Sequence, residues 1–285
     1  MKIYTIPVAD EFKPVRQNST YPAHNQDYGV EQDFEAYLTK SPQLITDNAK
    51  DADWHYLPIY WTRWLVNHDY GKRELHVLQH YVDKVIINSK KTFTICQYDD
   101  GPVVNLKYTK IFLSSRKSKL GIDIPLLSSA HREPWLNLPK KYLGSFVGRL
   151  STHEIRQRMR DALINNPSYY IKDGNVGTRK YISVLKRSYV ALSPRGYGGS
   201  SFRYYEAMQL GTVPMLIGDL DTRPFKQFID WDSCSIYTSK PKDIEKILNT
   251  YSQSRLVEMG KNAKHIWEFQ LNYQKWCNLV LKTLE

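Results

Sequence analysis

The residues of this chain best suited to chemistry on a phosphorylated ligand are gathered in one stretch, 193–217. It reads Ser-Pro-Arg-Gly-Tyr-Gly-Gly-Ser-Ser-Phe-Arg-Tyr-Tyr-Glu-Ala-Met-Gln-Leu-Gly-Thr-Val-Pro-Met-Leu-Ile. Gly198 and Gly199 let a backbone come close to a ligand, and Ser200 and Ser201 add hydroxyl donors. Arg203 adds a fixed cation whose planar fork fits phosphate oxygens. Glu206, one helical turn further on, is spaced to accept hydrogen bonds from the two hydroxyls of a ribose. Phosphate donors followed by a carboxylate are what a nucleoside diphosphate requires. The same composition also fits an ordinary Gly/Ser turn and a helix with solvated charges, because glycine-rich loops before helices are common.

Such residues work together only if a scaffold sets them at one edge. The apolar run 189–192 reads as a buried strand and 196–201 as a Gly/Ser turn. A helix over 202–210 follows, closed by Gly211, and 213–217 reads as a second buried strand. Strand, loop, helix and strand make the βαβ unit of a parallel sheet. That unit presents a helix N-terminus, with its free amides and positive dipole end, at the carboxyl edge of the sheet.

At 285 residues the chain is long enough for one large domain or two. A net charge of +11 makes phosphorylated ligands, nucleic acid and anionic surfaces plausible partners, although the basic runs 116–119 and 140–141 are short and suit a solvated surface. Three distant cysteines, Cys96, Cys234 and Cys277, offer neither a metal-binding spacing nor a disulfide framework. The first residues lack the apolar length of a signal peptide or anchor. The expectation is a soluble, cytoplasmic protein without stable membrane insertion.

Along the first half, 2–6 reads as a strand, 14–28 as a Pro-containing loop and 31–39 as a helix. Residues 53–61 read as a buried strand, 72–86 as a helix, and 92–97, 109–113 and 122–126 as further strands. This alternation predicts a doubly wound α/β domain. Two acidic spots, Asp69 and Asp99, then fall beyond strand ends, where an α/β sheet holds its ligands, and either carboxylate could deprotonate an acceptor hydroxyl. An Asp in a loop is more often a turn former or helix cap. His131 could help hold an acceptor, or be a satisfied structural histidine. Residues 134–141 read as a linker. In the second half 143–147 is a strand, followed by Gly148-Arg149 and a helix from about 154; 178–187 and 241–251 are helical and 235–237 is a short strand. Residues 254–285 read as one or two helices broken near Gly260.

Several spaced blocks of the chain resemble the exostosin-like glycosyltransferases. They are Ser188-Tyr189-Val190-Ala191-Leu192-Ser193-Pro194-Arg195-Gly196, Ser201-Phe202-Arg203, Glu206-Ala207, Gly211-Thr212-Val213-Pro214, Pro224-Phe225 and Ile229-Asp230-Trp231. Glu31-Gln32-Asp33-Phe34-Glu35-Ala36-Tyr37-Leu38, Leu57-Pro58-Ile59-Tyr60 and Asp99 with Gly101 extend the likeness toward the N-terminus. The resemblance implies a GT-B fold: two Rossmann-like α/β domains facing each other, an acceptor domain over 1–140 and a nucleotide-sugar domain over 141–265, with 266–285 crossing back onto the first. It implies inverting transfer from a UDP-sugar, with UDP-xylose as the guess, to a saccharide hydroxyl. Asp99 is then the first choice of base and Asp69 the second. Arg149, Arg156, Tyr181, Pro194, Gly196, Gly199, Ser200, Ser201, Arg203 and Glu206 would bind the donor. No metal or other cofactor is required by this layout beyond the UDP-sugar co-substrate, since cations and amides can meet the diphosphate charge and Asp219-Leu220-Asp221 lies after the second strand. Being short and without an anchor, the chain looks like the small exostosin-like proteins of large algal viruses, which implies work on capsid glycans. A basic nucleic-acid-binding protein and a non-catalytic nucleotide-sugar or glycan-binding module are the rival readings.

Overall fold

The computed structural model describes residues 1–15, 29–128, 130–131 and 138–285. In chain order the first half forms β1 (Ile3–Thr5), α1 (Val30–Thr39), β2 (Trp54–Tyr56), α2 (Trp61–Asn67), α3 (Leu75–Val85), β3 (Thr92–Cys96), β4 (Lys110–Leu113) and β5 (Ile122–Asp123). The second forms β6 (Tyr142–Gly148), α4 (Glu154–Leu163), β7 (Tyr169–Asp173), α5 (Thr178–Lys186), β8 (Ser188–Pro194), α6 (Phe202–Gln209), β9 (Val213–Ile217), β10 (Ile236–Thr238), α7 (Ile244–Leu248), α8 (Gln253–Ile266) and α9 (Cys277–Leu284). The described strands make two five-stranded parallel sheets, β1-β2-β3-β4-β5 and β10-β9-β8-β6-β7. Both units are α/β with parallel sheets, the second of them Rossmann-like, and the last helix returns to the first unit.

The chain divides into Met1–Leu127 with Tyr273–Glu285, and Ser128–Asn272. The division therefore falls after Leu127 and not at 140. The Gln209 side chain explains this: it donates to Ser128 Oγ (2.6 Å) and accepts from the His131 amide (3.2 Å), so this segment is tied to α6. The expected linker 134–141 lies partly outside the described residues, as does most of the loop at 14–28. At the other end, Trp267 stays with the second unit, its ring 5.9 Å from that of Tyr205 on α6. The return to the first unit begins at Tyr273.

In the first unit Phe12, Leu57, Trp61, Trp64, Leu78 and Val82 form one buried cluster. Residues 53–61 hold only a three-residue strand, because Trp61, Trp64 and Leu65 bury at helical spacing and start α2. Phe34 of α1 packs edge-on against Tyr56 and Phe93, with ring centroids 5.1 and 5.7 Å away. Trp276, just before α9, closes over Phe34 at 5.8 Å and donates its indole N–H to Asp33 (2.9 Å). The strands of this sheet lie in chain order, without the reversal of a doubly wound sheet.

In the second unit every residue of β9 is buried, as expected of a parallel strand covered on both faces. Ile155, Met159 and Leu163 turn one face of α4 into a core of Phe146, Val190, Leu192, Met215 and Met259. Gly260 does not break its helix. A Cβ there would sit 2.4 Å from the Gly211 carbonyl, so the missing side chain lets α8 press on the turn between α6 and β9. The actual interruption is the π turn Trp267–Leu271. Strand order reverses between β6 and β8, and such a reversal opens a crevice at the carboxyl ends of the two strands. None of the described helices is long and apolar enough to cross a membrane.

Candidate functional site

The reversal in the second sheet brings together the loop after β6 and the loop after β8. The second of these is the Gly/Ser stretch. It leaves β8 at Pro194, runs through buried Gly196, Gly199 and Ser200, and enters α6 at Ser201. Ser201 is extended (φ −149°, ψ 135°) and occupies the position before the first helical residue, yet its hydroxyl makes no capping bond. The first amides of α6, those of Phe202 and Arg203, have no intrahelical acceptor, as at any helix start. Thr222 Oγ pins the loop from the far side by donating to the Gly199 carbonyl (3.2 Å). The loop thus brings buried Gly and Ser residues to the positive end of a helix, a place suited to an anion.

Arg203 links this helix to β6. Its Nε donates to the Val147 carbonyl at 3.0 Å, a terminal nitrogen donates to the same oxygen, and the guanidinium lies 4.4 Å from the Phe146 ring centroid. Gly148 is required for this: a Cβ there would fall 2.2 Å from an Arg203 nitrogen. Arg203 therefore borders the anion site while spending part of its fork on the sheet.

Arg156 is more fully committed. It is buried, and its guanidinium donates to the carbonyls of Arg195 (2.9 Å), Arg149 (2.8 Å) and Pro194 (3.4 Å) and to Thr152 Oγ (3.2 Å). It clamps the ends of β6 and β8, and Gly196 gives it room, since a Cβ there would be 3.1 Å from its terminal nitrogen. Arg156, expected from the sequence to help neutralise the diphosphate, spends most of its donors on four protein acceptors. Arg149 is different: it is exposed at the end of β6, with no side-chain partner among the described residues.

Glu206 is buried in α6 and gripped from two sides. Tyr181 of α5 donates its hydroxyl to one carboxylate oxygen, and His131 Nε2 lies 3.2 Å from the other. Burial pushes the Glu206 carboxyl up, but hydrogen bonds from His131 and Tyr181 and the charges of His131 and Arg203 outweigh it and hold the group below the usual range. The Tyr181 phenol is held well above its ordinary value by burial and by that carboxylate. An ionised carboxylate and a neutral phenol at the edge of an anion site can read hydroxyl groups. His131 thus belongs to the nucleotide side of the sequence expectation. Its only sequence signal is that histidine can donate to a carboxylate, and nothing in its spacing names Glu206.

The two proposed bases lie in the first unit. Asp99 sits, half-buried, in the turn Tyr98 to Gly101 beyond the carboxyl end of β3, and its carbonyl accepts from the Lys117 amide (3.2 Å). Its neighbour Asp100 is paired with Lys117 Nζ at 2.6 Å. Asp69 does not follow a strand: the helix α2 intervenes, and Asp69 is left in the left-handed region (φ 51°), half-exposed beside Lys72 at 4.0 Å. A group not anticipated as functional lies under the Asp99 turn. Glu31 is fully buried and accepts from the Gln97 amide (3.1 Å), the Thr62 amide (3.1 Å) and Thr62 Oγ (2.8 Å). Burial pushes its carboxyl up to about 7 in spite of those donors. Among the described residues no three His, Cys, Asp or Glu side chains gather into a metal-binding group.

Comparison with known proteins gives these arrangements a family. The Exostosin GT47 domain model matches residues 1–253. The Exostosin-1 homolog of Caenorhabditis elegans is 32% identical over 94 residues, 32% of this chain and 25% of that protein. Human Exostosin-2 is 29% identical over 107 residues, 37% of this chain and 15% of its own length. The aligned part is thus a quarter or less of these curated relatives. Among solved structures, Anabaena Alr3699/HepE, crystallised with UDP and glucose, superposes with a TM-score of 0.43 at 10% identity, over 100% of this chain and 99% of that one. TarM superposes with a TM-score of 0.41 at 15% identity, over 73% and 58%. With a family model that spans most of its length, the chain belongs to the exostosin GT47 family of glycosyltransferases.

Proposed function

We propose that this chain transfers a glycosyl group, with inversion, from a UDP-sugar to a hydroxyl of a saccharide acceptor. The second unit binds the nucleotide sugar, and the first binds the acceptor. The observation that carries the reading is the donor set at the β6/β8 reversal: the first amides of α6, which have no intrahelical acceptor, the Ser201 hydroxyl, which caps nothing, and the exposed Arg149. These groups meet the diphosphate, with Arg203 alongside, while Glu206, gripped by Tyr181 and His131, accepts from the ribose hydroxyls. Asp99 is the base. The acceptor oxygen attacks the anomeric carbon opposite the leaving group and loses its proton to Asp99, and the bond to the UDP oxygen breaks. The charge that appears on UDP falls on donors already in place, where electrostatic stabilisation is most effective. Xylose is the sugar proposed for transfer.

The test is a thermal-shift panel of UDP and UDP-sugars against the full chain. A ligand at about 100 times its Kd stabilises a folded protein by about 2.7 kcal/mol, so UDP should raise the Tm by several degrees. S201A and R149A should weaken that response. A flat response to UDP at millimolar concentration would overturn the reading.

A further inference from the structure

A second polar group occupies the same edge of the second sheet and is not used by the phosphate site or the ribose carboxylate. The Arg195 amide donates to the Ile217 carbonyl at 2.9 Å, which carries the pairing of β8 and β9 one residue past the strands. Arg195 and Asp219 therefore leave the sheet in a fixed register. The Arg195 side chain is buried, with 6% of the residue exposed; its guanidinium donates to the Asp219 carboxylate and to the Tyr197 carbonyl (3.3 Å), and its buried Nε has no partner among the described residues. Tyr237 fixes the start of the Asp219 loop by donating to the Gly218 carbonyl (3.0 Å). Asp219 itself is 64% exposed at the side chain, so the face of the carboxylate turned from Arg195 is open.

His153 is close enough to this pair to interact with both charges. It precedes α4, and its Nδ1 accepts the Ile155 amide at 3.2 Å, which puts the ring proton on Nε2. Burial, followed by the Arg195 cation, holds His153 below its ordinary value, and the ring is neutral at pH 7. Burial works against the charged form of Asp219, but the Arg195 hydrogen bond and charge prevail and keep it ionised. A fixed carboxylate beside a neutral N–H donor is poorly matched to a phosphate, which would be repelled by one of the two. It is well matched to hydroxyl groups, each of which both donates and accepts.

We propose that Asp219, held in place by Arg195, accepts hydrogen bonds from hydroxyls of the sugar being transferred and selects neutral sugars over uronic acids. The inference rests on the nucleotide-sugar reading given above. A carboxylate here repels a sugar that carries its own carboxylate, and a site built to pair with hydroxyls rejects ligands that leave it unpaired. Arg195 is a positioning residue, and Asp219 is the one that determines specificity.

The experiment is calorimetric titration of the full chain with UDP, UDP-glucose, UDP-xylose and UDP-glucuronic acid, for the wild type and D219N. The wild type should bind at least one neutral donor about tenfold or more tightly than UDP-glucuronic acid. In D219N the affinity for UDP alone should stay within about twofold, while the neutral-to-uronic ratio falls toward one from both sides. Unchanged UDP binding shows that D219N is folded. Wild-type binding of UDP with the same sugar ratio before and after the substitution overturns this proposal and leaves the donor site standing. Absence of UDP binding to the wild type removes the donor site and this proposal together.

Discussion

The carboxyl edges of the two sheets hold similar residue types and use them differently. At the end of β3 the buried Glu31 is spent within the fold, taking the Gln97 amide and both donors of Thr62, and Asp99 lies half-buried in the turn that follows. At the ends of β6 and β8 the first turn of α6, the Ser201 hydroxyl and Arg149 are left over. Topology separates the two cases. Strands in chain order leave no gap between successive crossovers, whereas the reversal between β6 and β8 sends neighbouring loops apart and keeps their donors open. Composition alone does not mark a binding edge; what marks it is polar capacity left after the fold has been satisfied.

Four substitutions would break or sharpen this contrast. The largest expected effect belongs to D99N, which removes the proposed base; the rate of transfer should fall about 10²- to 10⁴-fold with UDP affinity unchanged. A rate within threefold of wild type would move the base elsewhere. G148A comes next. Its methyl would displace Arg203 from Val147, and UDP affinity should drop about tenfold or more, with a stability cost of about 1–3 kcal/mol in denaturant titrations. E31Q addresses the buried carboxylate at the end of β3. Between the ordinary glutamate value and about 7 the folded chain keeps a proton that the unfolded chain has released, so stability falls as pH rises through that window. The fall should amount to about 3 kcal/mol at most, and in E31Q the corresponding slope of Tm against pH should vanish. S201A should give the smallest change in stability, under about 0.5 kcal/mol, because its hydroxyl caps nothing, yet weaken UDP binding about three- to tenfold. A stability loss near 1 kcal/mol with unchanged UDP binding would make Ser201 an ordinary cap.

The unit around β8, α6 and β9 was legible because apolar runs alternate with Gly punctuation there and each signal agrees with its neighbours. Residues 53–61 misled because aromatic side chains suit a strand and a buried helix face equally, and only the spacing of Trp61, Trp64 and Leu65 tells them apart. β7 escaped notice since Tyr169 is its only buried residue and the rest of the strand lies at the sheet edge. Gly260 was read by its propensity, whereas its reason is the backbone 211 pressed against it. The site residues divide along a similar line. A sequence reports that Arg156 and Glu206 carry charge near a loop. It does not report that carbonyls at the ends of β6 and β8 absorb the first, or that His131, 75 positions away, grips the second.

The placement of α9 has a consequence for how the chain is made. The second unit is continuous from Ser128 to Asn272 and can close as soon as that length has emerged from the ribosome. The first cannot: the indole that covers Phe34 and bonds Asp33 belongs to Trp276, so a unit that opens with β1 waits for a residue on the far side of the second unit. During synthesis the older half carries an uncovered aromatic patch while the younger half matures, and a stall or premature stop after residue 272 would leave that patch to chaperones or to aggregation.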